Sequence, residues 1–244
     1  DYGGNTLTVI DVASGTVTDT LTVGDAPVGL AITPDGTTAF VTLYGGEVAV
    51  VDLDTLTVID VIPVGLEASD VAITPDGTTA YVTNYADDTV SVIDVATRTV
   101  TDTLAVGDGP FGVEISPDGT VAYVISNNDD TLHTIPLVAG MTGSVLTIAD
   151  TPYDIALAPD GSTAYIANAV GRSASIVALG RFAQLAAPGA LPESAVGESF
   201  SFATSVSAGD PAATFAVTAG SLPAGLELDA ATGDITGTPT TAGG

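Results

Sequence analysis

Two pairs of adjacent aspartates are the residues of this chain whose types and spacing best suit chemistry. Asp87-Asp88 and Asp129-Asp130 lie 42 positions apart in corresponding loops. Paired carboxylates can bind Ca²⁺ with the help of carbonyl oxygens, and they can serve as the acid and base of a hydrolase. The corresponding loops elsewhere hold Gly45-Gly46 and Val170-Gly171, so turn formation is the favoured interpretation. If Ca²⁺ binds this chain, we expect it at these four aspartates.

Other catalytic chemistry lacks its usual residues. His133 is the only histidine, and the chain has neither Cys nor Lys. No G-x-G-x-x-G, P-loop, H-E-x-x-H or C-x-x-C motif occurs. His133 falls in a strand-like segment, where ordinary packing is the expected role. We therefore expect no enzymatic activity, no catalytic or cofactor-binding residue, and no cofactor other than Ca²⁺.

A Pro-Asp-Gly triplet recurs and indicates the elements that carry these loops. It starts at Pro34, Pro75, Pro117 and Pro159, in steps of 41, 42 and 42 residues. A period of this length is typical of repeat folds. Each unit contains four short segments of alternating polarity separated by turns, as in Asp70–Thr74 and Thr79–Thr83. The pattern predicts an all-β chain with β-propeller blades of four antiparallel strands.

The repeat boundaries predict blades at 25–66, 67–108 and 109–150. A fourth blade is expected to be shared between the N-terminal strands and residues 151–180, since the chain starts in the middle of a blade. Residues expected to point inward are Val71, Ile73, Tyr81, Val92, Val113, Ile115, Tyr123, Ile155 and Tyr165.

The segment Tyr81-Val-Thr-Asn84 carries a family signature, with drifted copies in the other units, such as Tyr165-Ile-Ala-Asn168. Residues 1–184 resemble the YVTN family of β-propeller repeats of surface-layer and other exported proteins. The resemblance implies a propeller and an extracellular or cell-surface location.

Residues 185–244 differ in composition and have no PDG repeat. The stretch LPAGLELDAATGDITGTPTTAG at 222–243 resembles the Ig-like domains, related to cadherin and dystroglycan domains, of surface proteins. The resemblance implies a β-sandwich, which we expect to be incomplete.

Charge and hydropathy exclude some functions. Thirty acidic residues against three basic ones give a formal charge of −27, which would repel nucleic acid. No run of about 18 apolar residues suggests a transmembrane helix.

Three functions stay open. A structural or adhesive surface scaffold, self-associating or contacting neighbouring surface subunits in a layer or filament, explains the repeats and the acidity best. A propeller enzyme, lactonase-like or quinone-dependent, is an alternative. A periplasmic module that binds glycan or protein is another, and its mark would be an aromatic cluster at a propeller mouth. The chain has only seven Tyr, six Phe and no Trp, which leaves few residues for such a cluster.

Both ends of the chain fall inside a predicted domain. We expect either that the chain is part of a longer protein, or that neighbouring subunits donate strands to each other's open sheets.

Calcium binding can be measured directly. We expect that any heat released on titration with millimolar Ca²⁺ is lost when Asp87, Asp88, Asp129 and Asp130 are all changed to Asn. Heat that persists in this variant would place the site elsewhere, and no heat in the original chain would remove Ca²⁺ as a ligand.

Overall fold

A computed structural model describes residues 3–138 and 143–179. In the C-terminal part it describes residues 184–185, 200–202, 206–207, 222, 224–229 and 235–240. The chain divides into two compact units, Asp1–Ala178 and Leu179–Gly244. All the regular secondary structure of the described residues consists of β-strands, so the predicted all-β class is confirmed. Within these residues no helix is long and apolar enough to cross a lipid bilayer.

The first unit is a series of short strands of similar length. They are β1 (Thr6–Asp11), β2 (Thr16–Thr22), β3 (Pro27–Ile32), β4 (Thr38–Leu43), β5 (Glu47–Asp52), β6 (Thr57–Pro63), β7 (Ala68–Ile73), β8 (Thr79–Asn84), β9 (Thr89–Asp94), β10 (Thr99–Ala105), β11 (Pro110–Ile115), β12 (Val121–Ser126), β13 (Thr131–Pro136), β14 (Ser144–Thr147), β15 (Pro152–Leu157), β16 (Thr163–Asn168) and β17 (Ser173–Ala178).

These strands form antiparallel sheets in sequence order. The sheets β3–β6, β7–β10 and β11–β14 each have four strands, β15–β17 form a sheet of three, and β1 pairs with β2. The three predicted four-strand repeats are therefore present as sheets. The first strands of successive sheets, β3, β7, β11 and β15, lie side by side.

The second strand of each four-strand sheet is buried on both faces. All of β12 and nearly all of β4 and β8 are buried, because neighbouring sheets pack against both sides. One apolar cluster joins Phe40 and Val48 of the first four-strand sheet to Val82 and Ile93 of the next. Small and β-branched residues suit this narrow space, which is why the core contains few aromatic rings.

The PDG turns close the hairpins between first and second strands. Asp76 Oδ1 accepts hydrogen bonds from Thr74 Oγ1 at 2.6 Å and from the Thr78 N–H at 3.0 Å, and Gly77 has φ of 73°. These bonds lower the pKa of Asp76. Much of the acidity of the chain is thus local turn chemistry.

The same turns also touch along one rim of the unit. A Cβ added to Gly77 would lie 3.2 Å from Pro34 Cδ of the preceding turn. The corresponding distance is 3.4 Å from Gly119 to Pro75 and 3.1 Å from Gly161 to Pro117. Each turn therefore stacks on the turn before it.

The asparagine of the Tyr-Val-Thr-Asn segment is structural. The side chain of Asn84 accepts the Gly65 N–H at 3.1 Å and donates to Thr89 Oγ1 and Ser91 Oγ at 3.0 and 2.9 Å. It thereby ties the turn between two sheets to the third strand. The approach requires glycine, since a Cβ on Gly65 would lie 2.6 Å from Asn84 Cγ.

The copy of this motif that ends at Asn168 also shows that the close approach of the asparagine requires glycine. Asn168 donates to Ser173 and Ser175, but Ala149 stands where Gly65 stands in the earlier repeat. Asn168 Oδ1 is buried without a hydrogen-bond partner. The bulkier residue accounts for the missing contact.

The prediction that the N-terminal strands complete the sheet of residues 151–180 is wrong. In the described residues β1 and β2 pair only with each other. The side chains of Leu7 and Leu21 pack against Val41 and Leu43 of the sheet β3–β6. This apolar contact holds the pair next to the first four-strand sheet, while β17 takes the third place in the last one.

The predicted inward residues are mostly buried. Val71, Tyr81, Val113, Ile115, Tyr123 and Ile155 are buried, and Ile73 and Val92 are partly buried. Tyr165 is 50 % exposed, which contradicts the prediction. Tyr81 packs against the following sheet, whereas no described sheet covers the corresponding face of β16.

The regular secondary structure among the described residues of the second unit also consists of β-strands. They are β18 (Gln184–Leu185), β19 (Phe200–Phe202), β20 (Val206–Ser207), β21 (Leu226–Leu228) and β22 (Ile235–Gly237). β18 pairs with β20, and β22 lies between β19 and β21. Two antiparallel sheets agree with the predicted Ig-like class.

The tight contact at Gly65 gives a stability prediction. Gly65→Ala should lower the free energy of unfolding by about 1–3 kcal/mol, because the added methyl displaces Asn84. Gly45→Ala is the matched control, since nothing lies within 4 Å of its added Cβ, and we expect a change within about 0.5 kcal/mol. Urea unfolding followed by circular dichroism measures both, and equal effects would contradict the assigned role of Asn84.

Candidate functional site: a carboxylate pocket between the first strands

The four aspartates singled out from the sequence join neighbouring sheets. Asp88 Oδ1 accepts the Gly109 N–H at 2.9 Å, and Asp130 Oδ1 accepts the Thr151 N–H at 2.6 Å. Asp87 and Asp129 accept N–H groups of the preceding turns, from Leu66 and Asp108. Asp88 and Asp130 have positive φ of 56°, which suits Asp in tight turns.

Each of these carboxylates therefore has a structural role. Among the described residues no group of three or more His, Asp or Glu side chains could hold a metal ion. Calcium binding at these aspartates stays a prediction.

His133 lies half-buried in β13, close to Asp129. Thr131 Oγ1 donates to Asp129 Oδ1 at 2.7 Å and lies 3.0 Å from His133 Nε2. Because the threonine hydroxyl donates to the carboxylate, the imidazole Nε2 donates to the hydroxyl oxygen. Burial lowers the pKa of His133, and the charge of Asp129 opposes this shift.

A different set of carboxyl groups surrounds a pocket between the first strands of successive sheets. The pocket has a volume of about 370 Å³ and is lined by residues of β3, β7, β11 and β15. Asp70, Glu114 and Asp154 are its acidic residues, and most of the remaining lining is aliphatic. The pocket reaches Pro75 of a PDG turn, so it lies toward that end of the strands.

Asp70 is the most constrained of the three. Its Oδ1 accepts the Val71 N–H at 2.8 Å, and its Oδ2 accepts the Val113 N–H of the next sheet at 3.0 Å. Gly29 leaves room on the other side, because a Cβ there would lie 2.8 Å from Asp70 Oδ1. Burial raises the pKa of Asp70 to about 6, and the charge of Asp154 adds to the shift against the lowering effect of the two N–H bonds.

Glu114 is partly buried beside this group. Burial raises the pKa of Glu114, and the charges of Asp70 and Asp154 raise it further. No basic residue lines the pocket among the described residues. Like charges held near apolar walls favour either a bound proton or a bound cation. Burial and like charge therefore favour a proton on Asp70 at a pH below about 6, and a cation in the pocket would relieve the same repulsion.

The sequence contained a signal for this pocket that motif reasoning missed. At the position of Glu114 the other first strands carry Ala31, Ala72 and Ala156. At the position of Asp70 and Asp154 they carry Gly29 and Gly112. A charged residue that replaces a small one at a repeated inner position marks a departure from the repeat, and aligning the units by their PDG turns would have shown it.

Family comparisons agree with this architecture. Residues 67–186 match the model of the YNCE-like beta-propeller family, and residues 184–244 match that of the Putative Ig domain. The predicted propeller and Ig-like classes are thus confirmed. No curated protein matches the chain.

Solved structures similar to the chain include two enzymes. Hydrazine synthase of Kuenenia stuttgartiensis is 28 % identical, with a TM-score of 0.63 over 68 % of this chain and 50 % of that one. A functionally unknown protein from Desulfotomaculum acetoxidans is 19 % identical, with a TM-score of 0.61 over 71 % of this chain and 62 % of that one. The dihydro-heme d1 dehydrogenase NirN is 21 % identical, with a TM-score of 0.58 over 73 % of this chain and 40 % of that one.

The chain thus spans between 40 % and 62 % of the length of these structures. The Desulfotomaculum acetoxidans protein and NirN, which are 19 % and 21 % identical to this chain, show the shared fold alone.

The prediction that the chain is not an enzyme is contradicted. Hydrazine synthase, an enzyme by name, is 28 % identical to this chain and matches 68 % of it with a TM-score of 0.63. The prediction failed because it depended on the absence of local motifs. A propeller site can be assembled from single residues of several sheets, and Asp70, Glu114 and Asp154 show that this chain brings such residues together.

The raised pKa of Asp70 predicts a pH-dependent stability. Its folded value, about 6, lies above the ordinary 3.8, so the folded state favours the protonated carboxyl. The resulting stabilisation is complete below about pH 4 and is lost as the pH rises through about 6. Relative to Asp70→Asn, the free energy of unfolding of the original chain should fall by up to about 3 kcal/mol between these limits.

Urea unfolding at a series of pH values measures this difference. Asp102→Asn is the matched control, because Asp102 is an exposed aspartate whose Oδ1 also accepts the N–H of the next residue. A difference between the original chain and Asp70→Asn that does not change from pH 4 to 7 would contradict the assignment.

Proposed function

We propose that this chain is the propeller and Ig part of an exported surface protein, and that the propeller is a binding scaffold whose carboxylate pocket holds a small organic cation. The observation that carries the proposal is the convergence of Asp70, Glu114 and Asp154 in one pocket without a basic partner among its described lining residues. The combination of a YNCE-like propeller with an Ig domain supports a modular protein outside the cytoplasm.

The lining of the pocket favours an organic cation over a metal ion. Leu30 and Ile32, which are 42 % and 50 % exposed, supply an apolar wall, which suits the carbon skeleton of an amine. Metal sites for hard cations need several oxygen ligands at short range, and the described residues contain no such group. An ammonium group would instead be balanced by the carboxylates while its carbon atoms contact the walls.

Association with neighbouring surface subunits belongs to the same proposal. Tyr165 and Ile176, which are 50 % and 70 % exposed, lie on the last propeller sheet and support contact with a partner.

The location is tested by protease treatment of intact cells of the source organism. Removal of the protein without cell lysis is the expected result, and protection from the protease would contradict a surface location.

Cation binding is tested with putrescine as the probe. Calorimetry should show binding that releases protons and strengthens as the pH rises through about 6, because the cation favours the ionised forms of Asp70 and Glu114. Glu114→Ala should weaken binding at least about tenfold. This variant introduces the residue that three other repeats carry at the same position, so the fold should be kept.

Glu47→Ala is the matched control, since Glu47 is exposed at the start of β5. It should leave putrescine binding unchanged. Putrescine binding that is equal in the original chain and in Glu114→Ala, or that is absent altogether, would refute cation binding in this pocket.

A second candidate function is acid–base catalysis in the same pocket. The specific observation is the pKa of Asp70, about 6, because a carboxyl that titrates near neutral pH can both accept and donate a proton. The likeness to hydrazine synthase supports an enzymatic alternative of this kind. A lactone-hydrolysis and quinone-reduction screen tests it, and turnover abolished in Asp70→Asn but kept in Asp102→Asn is the expected result.

A further inference from the structure

Three aromatic rings form a continuous surface at the end of the propeller opposite the PDG turns. Tyr85 follows β8, and Phe111 and Tyr153 are the second residues of β11 and β15. The ring centroids of Tyr85 and Phe111 are 6.1 Å apart at 86°, and those of Phe111 and Tyr153 are 4.3 Å apart at 35°. We call Tyr85, Phe111 and Tyr153 the aromatic shelf.

The shelf is held in place by the backbone and by polar side chains. The Tyr85 hydroxyl donates to Asn128 Oδ1 at 3.0 Å, and Asn128 Nδ2 donates to Asp108 Oδ1 at 2.8 Å. Gly109 allows this approach, because an added Cβ would lie 2.6 Å from Asn128 Nδ2 and 3.0 Å from Tyr85 Cε2. A binding surface that is already ordered loses little entropy when it binds a ligand.

The outer ring of the shelf is open to solvent. Tyr153 is 53 % exposed, although the neighbouring Phe111 ring contacts it. The corresponding positions in the other first strands hold Val28 and Ser69, so first-strand rings occur only in the two adjacent sheets that carry Phe111 and Tyr153. Exposed amide and carboxylate groups of Asn128 and Asp108 lie beside the rings.

We propose that the aromatic shelf binds a neutral oligosaccharide, with one pyranose ring stacked on the exposed face of Tyr153. The C–H groups on one face of a pyranose pack well against an aromatic ring, and flanking amide and carboxylate oxygens accept hydrogen bonds from neighbouring hydroxyls. The charge of −27 disfavours acidic sugars. This site goes beyond the proposed cation pocket and does not depend on it.

An aromatic cluster at a propeller mouth is the mark expected of a glycan-binding module. The small number of aromatic residues argued against one, because several of them occupy core positions. The structure brings three of the others together on adjacent sheets. Composition alone therefore underestimated what the fold could assemble.

The proposal is tested with cellohexaose, laminarihexaose and maltohexaose as probes on the full chain. Saturation-transfer NMR should show contact of at least one of them with the protein, and calorimetry should give its dissociation constant. Tyr153→Ala should weaken binding about tenfold, whereas Tyr153→Phe should keep it, because the ring remains.

Tyr165→Ala is the matched control, since Tyr165 is exposed to a similar extent on the same sheet and lies outside the shelf. It should bind the sugar normally, as should Glu114→Ala, which separates this site from the carboxylate pocket. Absence of binding for all three sugars, or equal affinity in the original chain and Tyr153→Ala, would overturn the proposal.

Discussion

Face-to-face packing of successive sheets is the interaction on which the rest of the propeller depends. It buries the second strand of each four-strand sheet on both sides, and therefore admits only residues that fill a narrow space, such as Val82 and Val124. It also brings the first strands together, and with them Asp70, Glu114 and Asp154. The polar pocket is thus a product of apolar packing between sheets rather than of any local motif.

The repeat explains why the fold could be predicted from sequence. The PDG turns, the alternating strands and the Tyr-Val-Thr-Asn segment each occur several times. A strand whose pattern is ambiguous in one repeat can therefore be assigned from the corresponding strand of another repeat. The predictions that were wrong concern the two ends of the repeat array, where no further sheet follows or precedes among the described residues. Tyr165 lacks the covering sheet that buries Tyr81, and β1 and β2 pair with each other instead of completing a later sheet.

The candidate site was not predicted because its residues are ordinary when considered one at a time. Glu114 lies 44 residues from Asp70 and 40 from Asp154, and no motif connects them. The aspartate pairs that stood out, Asp87-Asp88 and Asp129-Asp130, form bonds between neighbouring sheets. In a repeat protein, the departures from the consensus are better guides to function than its most polar loops.

The stacked PDG turns also have a geometric consequence. Each glycine of these turns packs on the proline of the preceding turn at nearly the same separation, with 3.1 to 3.4 Å between the proline Cδ and a methyl carbon added to the glycine. Neighbouring turns are therefore similarly close at all three junctions along that rim. A side chain in place of any of these glycines would press on the proline of the preceding turn, so each turn is constrained by the neighbouring sheet as well as by its own positive φ.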